Sequence, residues 1–329
     1  MKTILLVKTS SLGDVIHNLP VAGDLRAHFP EAEIHWVAEE AFAPMLALHP
    51  AVSRVIPVAL RRWRKTFWRR DACREIAAFW ADLRQARYDA VLDTQGLLKS
   101  ALLARCARGP RHGHGRGSAR EAVAALFYQH TAAVERNLHA VQRNRLLAAR
   151  CLGYTPSAAV DYGLRVPQFV PPWPPAGPYA VLLHGTSAAA KLWPEAAWKE
   201  LGRRLAAEQG LTCLLPWGNG AEQARSRRLA ASIPQAIVPP ALGLAELAGM
   251  LSGCRIAVGV DTGPTHLAAA VGAPTVGIYC ATDPRATGLL AETPHVNVGG
   301  KGASPDVDGI LAGALSLLRP WPGSSSDPP

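Results

Sequence analysis

Four stretches place reactive side chains directly after short apolar runs. In "KTSSLGD", residues 8–14, two serines and Asp14 follow Ile4–Val7. Asp14 there reads either as a helix cap or as a carboxylate able to take up a proton. In "HGTSAAAK", 184–191, Thr186 and Ser187 offer small hydroxyl donors and Lys191 an ammonium, a set that suits phosphate oxygens. In "WGNGAE", 217–222, Glu222 opens a helical pattern; it either complements the helix dipole or holds sugar hydroxyls. In "VDTGPTH", 260–266, Asp261-Thr262-Gly263 turns a strand into a helix, with His266 one turn in. The free N–H groups of that helix start form an anion site, although an ordinary Asp cap has the same local pattern. Taken together, the last three stretches suit a nucleotide diphosphate carrying a sugar.

The elements that must position these residues alternate along the whole chain. Strands are expected at Ile4–Val7, Glu33–Val37, Val55–Val58 and Ala90–Asp93, then at Ala180–Leu183, Thr212–Leu215, Ile256–Val260 and Thr275–Tyr279. Helical patterns fall between them at 14–28, 70–86, 97–107, 119–128, 137–151, 194–209, 221–232, 244–252, 264–271 and 306–318. Continuous apolar strands alternating with helices predict parallel sheets covered on both faces. Six prolines between 167 and 178 forbid regular structure there. The expected organisation is therefore an N-terminal domain over 1–166, a Pro-rich linker over 167–178 and a C-terminal domain over 179–318. A Pro/Ser-rich tail, 319–329, is expected to be disordered. Two such domains predict a cleft, with ligands at the carboxyl ends of the strands.

Composition narrows the partners. The 329 residues carry a net charge of +10 and 49% hydrophobic residues, which favours a large core and an anionic partner. The charge is concentrated in "RRWRKTFWRRDACR", 61–74, with a second group at Lys99, Arg105, Arg108, Arg111, Arg116 and Arg120. The block reads as a solvated helix face, a nucleic-acid patch, or a site for a phosphorylated or carboxylated acceptor at a membrane surface. Six scattered cysteines without a Cys-x-x-Cys pair argue against a zinc site or a disulfide framework and fit a reducing cytoplasm. The N-terminal apolar run is too short for a signal peptide, and no uncharged stretch is long enough to span a bilayer. "GHGRG", 113–117, fails the dinucleotide fingerprint and is expected to follow no strand. Asp306 and Asp308 read as a helix cap, and no metal is assigned.

Read in order, "KTSSLGDVIHNLP", "RRWRK", "DTQGLLKSALLA", "REAVAALFY", "HAVQRNR", "HGTSAAAKLWPEAAW" and "VDTGPTHLAAA" resemble inverting glycosyltransferase family 9, the heptosyltransferases of lipopolysaccharide core synthesis. "KTSSLGD" with "RRWRK" is similar to the members that add the first heptose. Two details depart from the family pattern: Ala188-Ala189-Ala190 stands where charge is common, and Cys280-Ala281 where Gly-Pro is common. The resemblance implies an α/β GT-B fold of two Rossmann-like doubly wound parallel-sheet domains facing a central cleft. It implies transfer of L-glycero-D-manno-heptose from ADP-heptose to the inner Kdo of Kdo2-lipid A, without cofactor or metal.

By the same resemblance, Asp14 is the general base and Lys191 assists the leaving group. Thr186, Ser187, Lys191, Glu222, Asp261, Thr262, Gly263 and His266 bind the donor. Ser10, Ser11, Gly13, Arg61, Arg62, Arg64, Lys65 and Arg120 bind the acceptor. A monomer lying peripherally on the cytoplasmic face of a Gram-negative inner membrane, without nucleic acid, is the expected setting. The alternatives are a heptosyltransferase with a different core acceptor and a non-catalytic nucleotide-sugar-binding protein.

Overall fold

A computed structural model describes residues 1–173, 175 and 177–318; the expected tail lies outside the described residues. The chain divides into two compact units, Met1–Arg165 and Val166–Pro329. The first holds strands β1 (Thr3–Val7), β2 (Glu33–Glu39), β3 (Val52–Val58), β4 (Ala90–Asp93), β5 (Arg111–His114) and β6 (His130–Ala132). They form one sheet in the order β3-β2-β1-β4-β5-β6, every neighbouring pair parallel. The second unit holds β7 (Tyr179–Leu183), β8 (Thr212–Leu214), β9 (Ile256–Val260), β10 (Thr275–Tyr279) and β11 (His295–Gly299). Its sheet, also parallel, runs β11-β10-β9-β7-β8.

Both orders are doubly wound. The chain starts on an inner strand of each sheet, builds one side, then crosses to the other. The crossing point lies between β1 and β4 in the first unit and between β7 and β9 in the second. Helices leaving neighbouring strands diverge there, and the carboxyl ends open a crevice. The central strands read as apolar runs because helices cover both faces: Ile4 to Val7 and Ile256 to Val258 are fully buried.

Several expectations are corrected. The helix expected over 14–28 is two helices, Leu12–Ile16 and Leu19–His28, interrupted before Pro20, which lacks the N–H needed to continue the ladder. The stretch 119–128 holds a 3-10 helix, Ala122–Phe127. "GHGRG" begins inside a strand, since Gly113 and His114 belong to β5. Strands β5, β6 and β11 carry no apolar run. In β5 the buried side chains are the imidazoles of His112 and His114, and His112 stacks on the exposed His130 of β6 at 4.7 Å between ring centroids.

Candidate functional sites at the two crossing points

In the first unit the loops after β1 and β4 brace each other. Asp93 is fully buried at the end of β4, where burial raises its pKa. It accepts from the Tyr128 hydroxyl (2.7 Å) and from the N–H groups of Gln95 (2.8 Å) and Gly96 (3.2 Å). Gly96 takes φ +66°, a conformation open to glycine. Gln95 Oε1 in turn accepts from Thr9 N (2.7 Å) and Thr9 Oγ1 (2.9 Å). Lys8 is buried at the end of β1; its ammonium donates to the Thr94 carbonyl (2.9 Å) and to Asn144 Oδ1 (3.3 Å).

On this platform Ser11 caps the short helix that follows, Gly13 occupies its first turn and Asp14 its third position. Asp14 Oδ2 accepts from Ser11 N (3.0 Å), Ser11 Oγ (3.0 Å) and Arg120 (3.4 Å). Oδ1 has no partner among the described residues, and the side chain keeps 20% exposure. The cap reading and the base reading thus fall on different oxygens of one carboxylate. Burial works to raise the Asp14 pKa; the charges of Lys8 and then Arg120, with the Ser11 bonds, outweigh it and hold the carboxyl below its usual value. Burial pulls Lys8 down to about 8 despite the Asp14 charge.

Beside this loop lies a cavity of about 810 Å³. Ser10, Arg61, Arg64, Lys65 and Lys99 supply its polar lining together with one carboxylate, Glu39, and Trp63, Phe79 and Trp80 its apolar floor. Lys99 donates to Ser10 Oγ at 3.0 Å. "RRWRK" lies on helix Leu60–Thr66, whose Trp63 packs edge-on against Phe79 (5.6 Å) and leaves the cations outward. The cavity does not collect all the expected acceptor cations. Arg62 is tied to Glu40 (3.0 Å) and Glu75 (2.7 Å), and Arg120 goes to Asp14. Lys99, absent from the expected site, lines the cavity, and Lys8, also absent from it, lies buried beneath the Asp14 loop. A charge at the end of a fully apolar strand was the available signal for Lys8.

In the second unit the Lys191 ammonium meets Asp261 Oδ2 at 2.7 Å, joining the β7 and β9 loops across the crossing point. Asp261 also accepts from Thr282 Oγ1 (2.7 Å) and lies 3.5 Å from His266 Nε2. Burial works to raise its pKa, but the bonds from His266, Lys191 and Thr282 win and hold it far below the usual carboxylate range. Thr282, in the "TDP" run, is another residue the sequence reading left out of the site.

Helix Gly263–Ala270 starts here with Thr262 at its N-cap and Pro264 as its second residue. The Thr262 side chain makes no capping bond. The hydroxyls of Thr186 and Ser187 are likewise unengaged among the described residues. Glu222 comes from the β8 loop. Its Oε2 accepts from Gly218 N (2.7 Å), and Asn219 caps its own N–H (3.0 Å). The carboxylate presses on Gly185, where an added Cβ would sit 2.6 Å from Glu222 Cδ. The expected donor residues therefore share one rim.

Comparison with known proteins decides the family. The model of glycosyltransferase family 9 (heptosyltransferase) matches residues 76–309. The chain belongs to this family. It is 48% identical to lipopolysaccharide heptosyltransferase 1 of Pseudomonas aeruginosa, over 88% of this chain and 82% of that one. Its fold matches E. coli heptosyltransferase WaaC with ADP at a TM-score of 0.87, with 38% identity, covering 96% of this chain and 99% of that one. The same E. coli enzyme with ADP-2-deoxy-2-fluoro heptose matches at 0.83 and 38% identity, over 96% and 98% of the two chains. The fold class is GT-B, and the chain is a heptosyltransferase.

Proposed function

We propose that this heptosyltransferase uses ADP-heptose as donor, the inner Kdo of Kdo2-lipid A as acceptor, and inverts the anomeric carbon. The relatives' names and the heptose analogue in the E. coli enzyme support the donor and the product class. Two observations support the residue roles: at the first crossing point Asp14 Oδ1 has no partner among the described residues, and at the second an ammonium lies against a buried carboxylate.

In the proposed step an acceptor hydroxyl of Kdo attacks the anomeric carbon of the heptose. The new C–O bond forms as the bond to the ADP phosphate oxygen breaks. The hydroxyl proton passes to Asp14 Oδ1, and the bond's electron pair leaves with ADP. Lys191, the hydroxyls of Thr186, Ser187 and Thr262, and the first N–H of the Gly263 helix receive the developing phosphate charge. Glu222 Oε1 and His266 complete the donor contacts. Asp261 holds Lys191 in place. Ser10, Ser11, Gly13, Arg61, Arg64, Lys65 and Lys99 line the approach of an acceptor rich in carboxylate and phosphate, with Arg62 and Arg120 acting on their neighbouring carboxylates.

A carboxylate held below its usual pKa is a weak base, so bond cleavage to ADP runs ahead of proton transfer and the hydroxyl acidifies late. We further propose a monomer that meets the cytoplasmic face of the inner membrane peripherally. Among the described residues no helix is long and apolar enough to cross a membrane. The test is incubation with ADP-heptose and Kdo2-lipid A in the presence of EDTA. The expected result is an acceptor heavier by one heptose. Heptose on a different core acceptor only, or donor binding without transfer, would overturn the reading.

A further inference from the structure

The turn between helices Leu60–Thr66 and Arg70–Leu83 carries an anomaly for a water-facing surface. Phe67 and Trp68 are 61% and 67% exposed, side by side, with ring centroids 5.1 Å apart and nearly perpendicular planes. Two adjacent large aromatics in water are an unpaired apolar patch. Their surroundings are cationic, with seven Arg or Lys and one carboxylate over 61–74. Intramolecular pairing absorbs Arg62, held by Glu40 and Glu75, and Arg69, held by Asp71. Arg64, Lys65, Arg70 and Arg74 are exposed and have no ion-pair partner among the described residues.

Aromatic rings ringed by unneutralised cations match the depth profile of a bilayer surface, apolar just below and anionic at headgroup level. The neighbouring cavity extends the match. Phe67 is both exposed and part of its lining, which also includes Ser10 beside the Asp14 loop and the apolar floor of Trp63, Phe79 and Trp80. A double-stranded nucleic acid would neutralise the cations and leave that floor empty. A lipid surface satisfies both.

We propose that residues 64–74 dock this enzyme on bilayers carrying anionic headgroups, with Phe67 and Trp68 entering the interface and Arg64, Lys65, Arg70 and Arg74 meeting the headgroups. The proposal rests on the membrane contact put forward above and names the segment that makes it. It also gives the cavity a polarity, with its Ser10 end for the acceptor's sugars and its Phe67 mouth toward the lipid.

The test is co-sedimentation of the full chain with phosphatidylethanolamine/phosphatidylglycerol vesicles, and with phosphatidylcholine vesicles for contrast. Binding to the anionic vesicles that weakens with salt is expected. The Phe67→Ser/Trp68→Ser and Arg70→Glu/Arg74→Glu variants should each bind about tenfold more weakly while keeping the wild-type unfolding temperature. Trp68→Phe, which retains an aromatic ring, should still bind but lose part of the fluorescence quenching that brominated lipids cause in the wild type. Wild-type binding with the double variants unaffected, or quenching untouched by Trp68→Phe, would overturn the docking segment and leave the membrane contact standing. Failure of the wild type to bind vesicles, or binding to DNA in preference to them, would overturn both. Heptosyl transfer is measured separately.

Discussion

The two crossing points use the same pair of residue types with opposite burial. In the first unit the lysine is inside: Lys8 is 5% exposed, and Asp14 reaches the surface with 20% of its side chain. In the second the carboxylate is inside: the Asp261 side chain is 7% exposed and Lys191 30%. The coupling differs as well. Lys8 spends its hydrogen bonds on Thr94 and Asn144 and acts on Asp14 through charge, leaving Oδ1 open. Asp261 bonds Lys191 directly and is saturated by Thr282 and His266. A buried cation beside a partly exposed carboxylate keeps it ionised while one of its oxygens stays open. A buried anion that orients an exposed cation suits phosphate binding. One sheet topology serves either task, depending on which member of the pair the strand end buries.

On the proposed roles, loss of the Asp14 carboxylate should cost the most. Asp14→Asn keeps the shape and loses the proton acceptor, so kcat should fall by about 10³-fold. Near-wild-type turnover at saturating substrates would show that Oδ1 takes no proton.

Next in size is the buried anion. Asp261→Asn leaves Lys191 without its anchor, and ADP affinity measured by calorimetry should drop about tenfold, the scale of one charge-assisted hydrogen bond. Tighter ADP binding would mean that Asp261 competes with phosphate, and the parallel with Lys8 would fail.

The tuning cation gives a subtler readout. Lys8→Met removes the strongest charge lowering the Asp14 pKa, so the acid limb of the kcat/KM profile should move to higher pH. Arg120→Met should move it the same way by less, because its guanidinium is half exposed and ranks after Lys8. No movement in either variant would uncouple these cations from the base.

The smallest effect separates the units by stability. Burial is the leading cause that lowers His49 and His112 to about 4, His114 to about 3 and His35 by direction in the first unit, and His184 to about 4 in the second. An unfolded chain protonates these rings near pH 6.5. It therefore binds more protons than the folded one between about pH 6.5 and 4, and stability present above 6.5 is lost as pH falls through that window. Hydrogen exchange followed over it should show the first unit loosening before the second; equal loosening would contradict the assignment.

Much of this was legible in the chain because the central strands are buried on both faces and write themselves as apolar runs. Asp14, Lys191 and Asp261 stood out as polar residues where such runs stop. What escaped has a physical reason. Strand β5 buries His112, Gly113 and His114 rather than aliphatics, and β6 and β11 are edge strands with little apolar content. The partners that define the sites also come from far along the chain. Lys99 reaches Ser10 across 89 residues and Thr282 reaches Asp261 across 21, and no local pattern carries such pairings. Even the basic block misled in part, since Glu40 and Glu75 claim Arg62 only once helix Leu60–Thr66 is packed.

In the proposed mechanism the first crossing point supplies the base and the second holds the diphosphate. Calorimetric titration of ADP into Asp14→Asn and Lys191→Met, alongside the wild type, tests it most directly. The account predicts wild-type ADP affinity in Asp14→Asn and about 10²-fold weaker binding in Lys191→Met. Weakened ADP binding in Asp14→Asn, or unchanged binding in Lys191→Met, would contradict it.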